Sequence, residues 1–133
     1  MKNIRRLTYA TMIALVASLI TGCSSGAKAV TDLSVQEFAS EISKPGVQIL
    51  DVRTPAEFAE GHLANAINID FEANDFAQQI KKLDKNSTYA VYCRSGRRSA
   101  LAADQMSKAG FTNLYNMSGG ILDWSAAGFA LIK

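Results

Sequence analysis

The chain is short of the residues on which much protein chemistry relies: its 133 residues include two cysteines, one histidine, one tryptophan and two prolines. Cys23 stands in the leader region, so Cys93 is the lone thiol of the part expected to fold. With Cys23 committed elsewhere, no second thiol remains to resolve an oxidised Cys93, which argues against an intramolecular dithiol cycle. His62, the sole histidine, sits in a Glu-Gly-His turn entering a strand. That setting suits a satisfied structural imidazole better than one half of a Cys/His pair. The apolar run from about Leu7 to Ile20 is shorter than the roughly 20 residues of a spanning helix, so an uncleaved membrane anchor is disfavoured. No internal repeat or low-complexity tract is present. A basic surface is missing too: the one dense group of arginines, Arg94, Arg97 and Arg98, surrounds Cys93, which speaks against nucleic acid as a partner.

What the front end does contain is directional. Lys2, Arg5 and Arg6 precede the apolar run, and small residues follow it, the pattern of a secretory signal over residues 1–22. Ile20-Thr21-Gly22-Cys23 resembles a bacterial lipobox, which implies that the Cys23 thiol is acylated and becomes the new N-terminus. Ser24, in the position after it, implies by the same resemblance the outer rather than the inner membrane, with the protein facing the periplasm. Residues 23–30 then form a small polar tether. A Cys23–Cys93 disulfide is the competing reading, but nothing in the tether would hold Cys23 near the domain. Removing residues 1–22 takes away three basic residues and no acidic one. Eleven basic and twelve acidic residues remain, and the formal charge falls from +2 to −1.

Residues 31–133 suffice for one compact domain and are too few for two. Ser34-Val35-Gln36-Glu37 has the form of a capping box, and Val35, Phe38 and Ile42 follow helical spacing up to Pro45-Gly46, so the first element is expected to be a helix. Val47–Val52 is β-branched and apolar, as in a strand covered on both faces. Thr54-Pro55-Ala56-Glu57 caps a short helix with proline at its first position. Ala66–Ile69, Tyr89–Tyr92 and Asn113–Asn116 are further strands. Helices are marked by Phe76, Ile80 and Leu83, by Leu101, Ala102, Met106 and Ala109 before Gly110, and by Ile121 and Trp124 before Gly128; Phe38 and Trp124 fit core faces. Alternating strands and helices imply an α/β fold with a parallel sheet and helices on both faces. Ligands of such folds collect beyond the C-terminal strand ends, where Arg53 and Cys93 lie.

Cys93-Arg94-Ser95-Gly96-Arg97-Arg98-Ser99 joins a strand to a helix. Unpaired N–H groups, a helix dipole and three arginines at such a turn favour thiolate over thiol, and argue against burial of Cys93 as an inert core residue. Gly96 permits a tight backbone path, and the amides of Arg94 through Ser99 are expected to face the sulfur. Arg94 and Arg97 should face outward to receive an anion. Arg98 either supports the cysteine charge or ties the loop to a carboxylate such as Asp51, and Ser99 either contacts the sulfur or is no more than the helix N-cap. Asp51 and Arg53 fit a structural role, as the polar end of a buried strand paired nearby. The loop has four residues between Cys93 and Arg98, one fewer than the Cys-x5-Arg cradle of phosphatases, and the smaller ring suits a single sulfur atom better than a phosphate.

Four ordered blocks, Asp51–Phe58, Glu60–Asn68, Cys93–Ser99 and Gly119–Trp124, resemble the rhodanese family of sulfurtransferases. The resemblance implies a central sheet of about five strands and a persulfide carried on Cys93. It also implies a small-molecule sulfur donor such as thiosulfate, a cyanide or thiol acceptor, and no metal or organic cofactor. Asn65 departs from the family at a position where many relatives carry glycine. A non-catalytic sulfur-carrier or docking module of the same fold is the alternative.

Overall fold

The computed structural model describes residues 28–133; the expected signal segment, Cys23 and most of the tether lie outside the described residues. Five strands form one parallel sheet, β1 (Val30–Leu33), β2 (Val47–Asp51), β3 (Ile67–Asn68), β4 (Thr88–Tyr92) and β5 (Asn113–Met117), in the order β1-β5-β4-β2-β3. The helices are α1 (Val35–Ile42), α2 (Pro55–Glu60), α3 (Phe76–Ile80), α4 (Arg97–Lys108) and α5 (Gly120–Ala126). The α/β class and the five-stranded parallel sheet agree with expectation. The first element does not. A strand, β1, precedes the capped helix and pairs with β5 from the far end of the chain. Only four residues long, with half-buried ends and an exposed middle, it has no pattern that reveals it before its partner is known.

Both capping boxes form as their residue types dictate. Ser34 Oγ accepts from the Glu37 N–H while the Glu37 carboxylate accepts from the Ser34 N–H, and Thr54 and Glu57 repeat the arrangement. The sheet separates two apolar layers. Leu50, Val91 and Leu114 face Ile80, Ala102 and Met106 on one side; Ile49, Ala90 and Met117 face Phe38, Ile121 and Trp124 on the other. Phe38 meets both Tyr92 and Trp124 edge to face at 6.5 Å. One helical expectation fails at its margin, because Leu83 lies past the end of α3. Leu101 lies on α4 as expected but is 51% exposed, the inner face being taken by alanines small enough for the helix to approach the sheet.

From β2 the chain crosses to β3 on one side, and from β4 it crosses to β5 on the other. The crevice between the ends of β2 and β4 is therefore the switch point of the sheet, where ligands of such folds bind. A buried polar network closes its floor. Asp51, fully buried, accepts from Arg53 Nε and Nη2 and, at 2.6 Å, from the Tyr92 hydroxyl. Tyr92 in turn accepts from the Leu63 N–H, Arg53 Nη2 also donates to the Gly61 carbonyl, and Asn68 Nδ2 donates to the carbonyls of residues 51 and 53. Asp51 and Arg53 are thus paired with each other at the buried end of the strand. His62 is satisfied as anticipated: its Nδ1 lies 2.9 Å from the Phe58 carbonyl and its ring stacks on Phe58. Asn65 adopts φ +64°, the left-handed region that asparagine tolerates in place of glycine.

Candidate active site

Cys93 is the first residue beyond β4. The chain then curls around its sulfur and enters α4 at Gly96, whose φ of +94° is available to glycine at little cost. Space demands glycine there as well: a Cβ on Gly96 would stand 2.0 Å from the Ser118 carbonyl oxygen. Gly120, also at positive φ, meets the loop from the other side, where a Cβ would lie 2.3 Å from the Arg94 carbonyl oxygen. The Ile121 and Leu122 N–H groups donate to the carbonyls of Cys93 and Arg94 at 2.9 and 3.2 Å. The Gly119-Gly120 segment is therefore the second wall of the loop. A glycine pair one residue past the end of β5 is its sign in the sequence.

The sulfur faces donors. The Gly96 N–H lies 3.1 Å from Sγ and the Ser99 hydroxyl 3.3 Å. Burial pushes the Cys93 thiol up, but the Ser99 hydroxyl and the N–H groups of Ser99, Ser95 and Gly96 outweigh it and hold the thiol below its ordinary value. The expected ring of amides is thus narrower than Arg94 through Ser99. Ser99 is not the N-cap, a place taken by Gly96; it is the third residue of α4, fully buried, with its hydroxyl turned inward to the sulfur. Cys93 is only 1% exposed, contrary to the expectation that its polar setting would keep it out of the core. It is both at once, one side packed in the α3–α4 layer and the sulfur turned into the loop.

Arg94 and Arg97 are exposed, facing outward as expected, and Ser95 is exposed beside them. Arg98 does not reach Asp51, which Arg53 and Tyr92 already saturate. It forms a two-pronged pair with Glu57 at 2.8 Å on each arm, with Glu72 3.6 Å away. The Arg98 guanidinium, with help from Thr54, holds Glu57 down to about 2 against the resistance of its partial burial. Glu57 is the functional-site residue that the spacing missed. Its capping role was legible; the same carboxylate gripping α4 across 41 residues was not. Two depressions flank the loop. One of about 270 Å³ touches Arg53, Arg94, Leu122 and Leu131, and one of about 430 Å³ touches Ser95, Arg97, Arg98 and Leu101. Cys93 lines neither, but the next two residues do, Arg94 in the first and Ser95 in the second. Among the described residues no cluster of His, Cys, Asp and Glu could hold a metal ion, and no helix is long and apolar enough to cross a membrane.

The arrangement suits a nucleophilic sulfur whose charge is held by a short ring of donors. A family model described as a rhodanese-like domain matches residues 34–127. A chloroplastic thiosulfate sulfurtransferase 16 of Arabidopsis thaliana is 33% identical over 100 residues, 68% of this chain and 83% of its own length. A Bacillus subtilis (strain 168) protein named provisionally as a sulfur carrier is 30% identical over 103 residues, 77% of this chain and 55% of its own. Among solved structures, a rhodanese-related protein of Thermoplasma volcanium superposes with a TM-score of 0.67 at 31% identity, covering 76% of this chain and 96% of that one. For three of the curated relatives the chain spans only 53, 55 and 62% of their length.

Two outcomes follow from this geometry. Replacing Ser99 with alanine removes the strongest single support of the thiolate, so iodoacetamide alkylation of Cys93 at pH 7 should slow by about 3–10-fold, with its pH midpoint moved upward. Glu57 has a folded value below its unfolded one. Its contribution is therefore present above about pH 4.5 and lost as the pH falls towards 2. Glu57→Gln should cost about 1–2 kcal/mol at pH 7, allowing for the solvent that reaches both partners. The gap from wild type in urea unfolding should close between pH 4.5 and 2.

Proposed function

The chain belongs to the rhodanese-like domain family, and from that premise we propose that it is a sulfurtransferase that carries sulfane sulfur as a persulfide on Cys93. The observation that carries this reading is the thiol held below its ordinary value by Gly96, Ser95 and Ser99 at the end of β4. The Cys93 thiolate attacks the outer sulfur of a donor such as thiosulfate. The new S–S bond forms as the bond to the sulfonate sulfur breaks, and sulfite leaves with the electron pair. An acceptor nucleophile, cyanide or a thiol, then attacks the outer sulfur, and the pair returns to Cys93. Arg94 and Arg97 meet the anionic donor with Ser95 at the loop rim, the Gly96 amide and Ser99 hydroxyl hold the sulfur charge, and Arg98 positions α4 through Glu57. Asp51 and Arg53 support the loop from beneath.

A sulfur carrier that loads but does not turn over is the second reading, favoured by the 1% exposure of Cys93 and by the provisional name of the Bacillus relative. For location we propose a lipid anchor at Cys23, on the strength of the charged start, apolar run and Ile-Thr-Gly-Cys sequence. The domain then faces the periplasm, on the outer membrane rather than the inner.

Full-length protein given thiosulfate and cyanide should produce thiocyanate with one sulfur atom added to Cys93 by mass spectrometry. Cys93→Ser should lower turnover by about 10³-fold or more with an unchanged circular dichroism spectrum. A sulfur adduct without turnover would favour the carrier, and turnover by Cys93→Ser would remove the nucleophile assignment. Cys23→Ser should move the protein from the membrane to the soluble fraction while its turnover stays the same.

A further inference from the structure

The smaller depression beside Cys93 has a chemical asymmetry that sulfur donation alone does not use. It begins one residue from the cysteine, because Ile121 and Leu122 in its wall donate their N–H groups to the carbonyls of Cys93 and Arg94. Arg53 reaches it from below. Although only 5% exposed, this guanidinium commits just Nε and Nη2, to Asp51 and the Gly61 carbonyl. Nη1 has no protein partner among the described residues and is not sealed from solvent. A buried arginine with one open nitrogen is a preformed donor for an acid group. Arg94, exposed at the rim, is in no salt bridge among the described residues.

The opposite wall is apolar and fixed. Leu122 and Leu131 are 47% and 39% exposed. Leu131 is held there by a C-terminal strap, in which His62 and Ile132 exchange two backbone hydrogen bonds of 2.9 Å and Trp124 Nε1 donates to the Ala130 carbonyl. Of the two carboxylates in the lining, Glu57 is occupied by Arg98, whereas Glu60 is exposed and in no salt bridge among the described residues. Two cationic donors, an apolar wall and one free carboxylate match a small zwitterion rather than a simple anion.

Building on the sulfur-transfer reading, we infer that this depression is the acceptor subsite for a low-molecular-weight amino-acid thiol. Its carboxylate lies on Arg53 Nη1 and Arg94, its carbon chain against Leu122 and Leu131, and its ammonium towards Glu60. The acceptor thiolate attacks the outer sulfur of the Cys93 persulfide. The acceptor's own S–S bond forms, the Cys93 S–S bond breaks, and the electron pair returns to Cys93 as thiolate; the persulfide proton stays with the departing product. No external oxidant or reductant enters.

The test separates binding from turnover. With the full chain, the rate of Cys93 alkylation by iodoacetamide is followed by mass spectrometry in the presence of S-methylcysteine or S-methylcysteamine, which differ only in the carboxylate. S-methylcysteine should protect saturably, and S-methylcysteamine should protect about tenfold more weakly or not at all. Arg94→Gln should weaken the protection by S-methylcysteine about tenfold. Equal protection by both analogues, protection by neither, or a loss on Arg97→Gln in place of Arg94→Gln would each overturn the inference, whether or not the protein transfers sulfur. In the second arm Cys93 persulfide is discharged by cysteine or cysteamine. Cysteine should be faster by about tenfold. Equal rates would overturn the subsite and leave sulfur transfer standing, whereas failure to form any persulfide would overturn sulfur transfer while the protection experiment still decides the subsite.

Discussion

A single carboxylate, Asp51, sets the geometry on which the site depends. It is fully buried at the end of β2, where an unpaired charge would be untenable, so it must gather donors. Those it gathers come from different parts of the fold: Arg53 from the loop after its own strand, and Tyr92 from the last residue of the neighbouring strand β4. Burial pushes the Tyr92 hydroxyl far above the phenol range, and Asp51 adds to that, so this group stays a proton donor. Through Tyr92 and Arg53 the same network reaches the Leu63 N–H and the Gly61 carbonyl. Replacing such a cluster wholesale by apolar groups can be neutral for stability, but removing one partner from it is not. Its effect is therefore one of specification, because the ends of β2 and β4 and the Gly61–Leu63 turn have one mutual arrangement that satisfies every member. Cys93 follows Tyr92 directly and inherits that placement.

Above this floor, the cysteine loop is defined by close approach rather than by apolar packing. Gly96 and Gly120 let two backbone segments come nearer than any side chain would allow, and Ile121 and Leu122 then bond to the loop from outside. This outer support matters for the sulfur. A loop bonded only to itself would relax when its charge changed, whereas one clamped from both sides keeps its N–H groups aimed at Sγ, the preorganisation that makes fixed dipoles effective. Burial works against the thiolate and the fixed donors work for it, and the donors win.

How much of this was visible before folding depended on how local each feature is. Capping boxes, the βα alternation, the strand-to-helix cysteine turn and the need for Gly96 are written within a few residues, and each was found. The strand β1 was not, because its reason for being a strand is β5, more than eighty residues away. The partner of Arg98 stays open in the sequence for the same reason: Asp51 and Glu57 both lie at the right end of the sheet, and only three-dimensional saturation of Asp51 by Arg53 and Tyr92 decides between them. The burial of Cys93 is not legible either, because its polar neighbours in sequence describe the loop, while its packing against the α3–α4 layer is decided by the fold.

The pairing of Arg98 with Glu57 has a consequence for how the three loop arginines divide their work. Glu57 is already the third residue of α2 and closes its capping box with Thr54, so the pair with Arg98 anchors the first turn of α4 to a rigid helix start. Arg98 spends its charge in this way and is part of the frame. Glu57 and Glu72 compensate it, and Arg94 in one depression and Arg97 in the other have no ion pair among the described residues. Two separated cations flank one buried sulfur. In the proposed cycle donor and acceptor come in turn, with the sulfur held on Cys93 between them, so the charge that Arg98 does not supply at the rim faces each anion as it arrives.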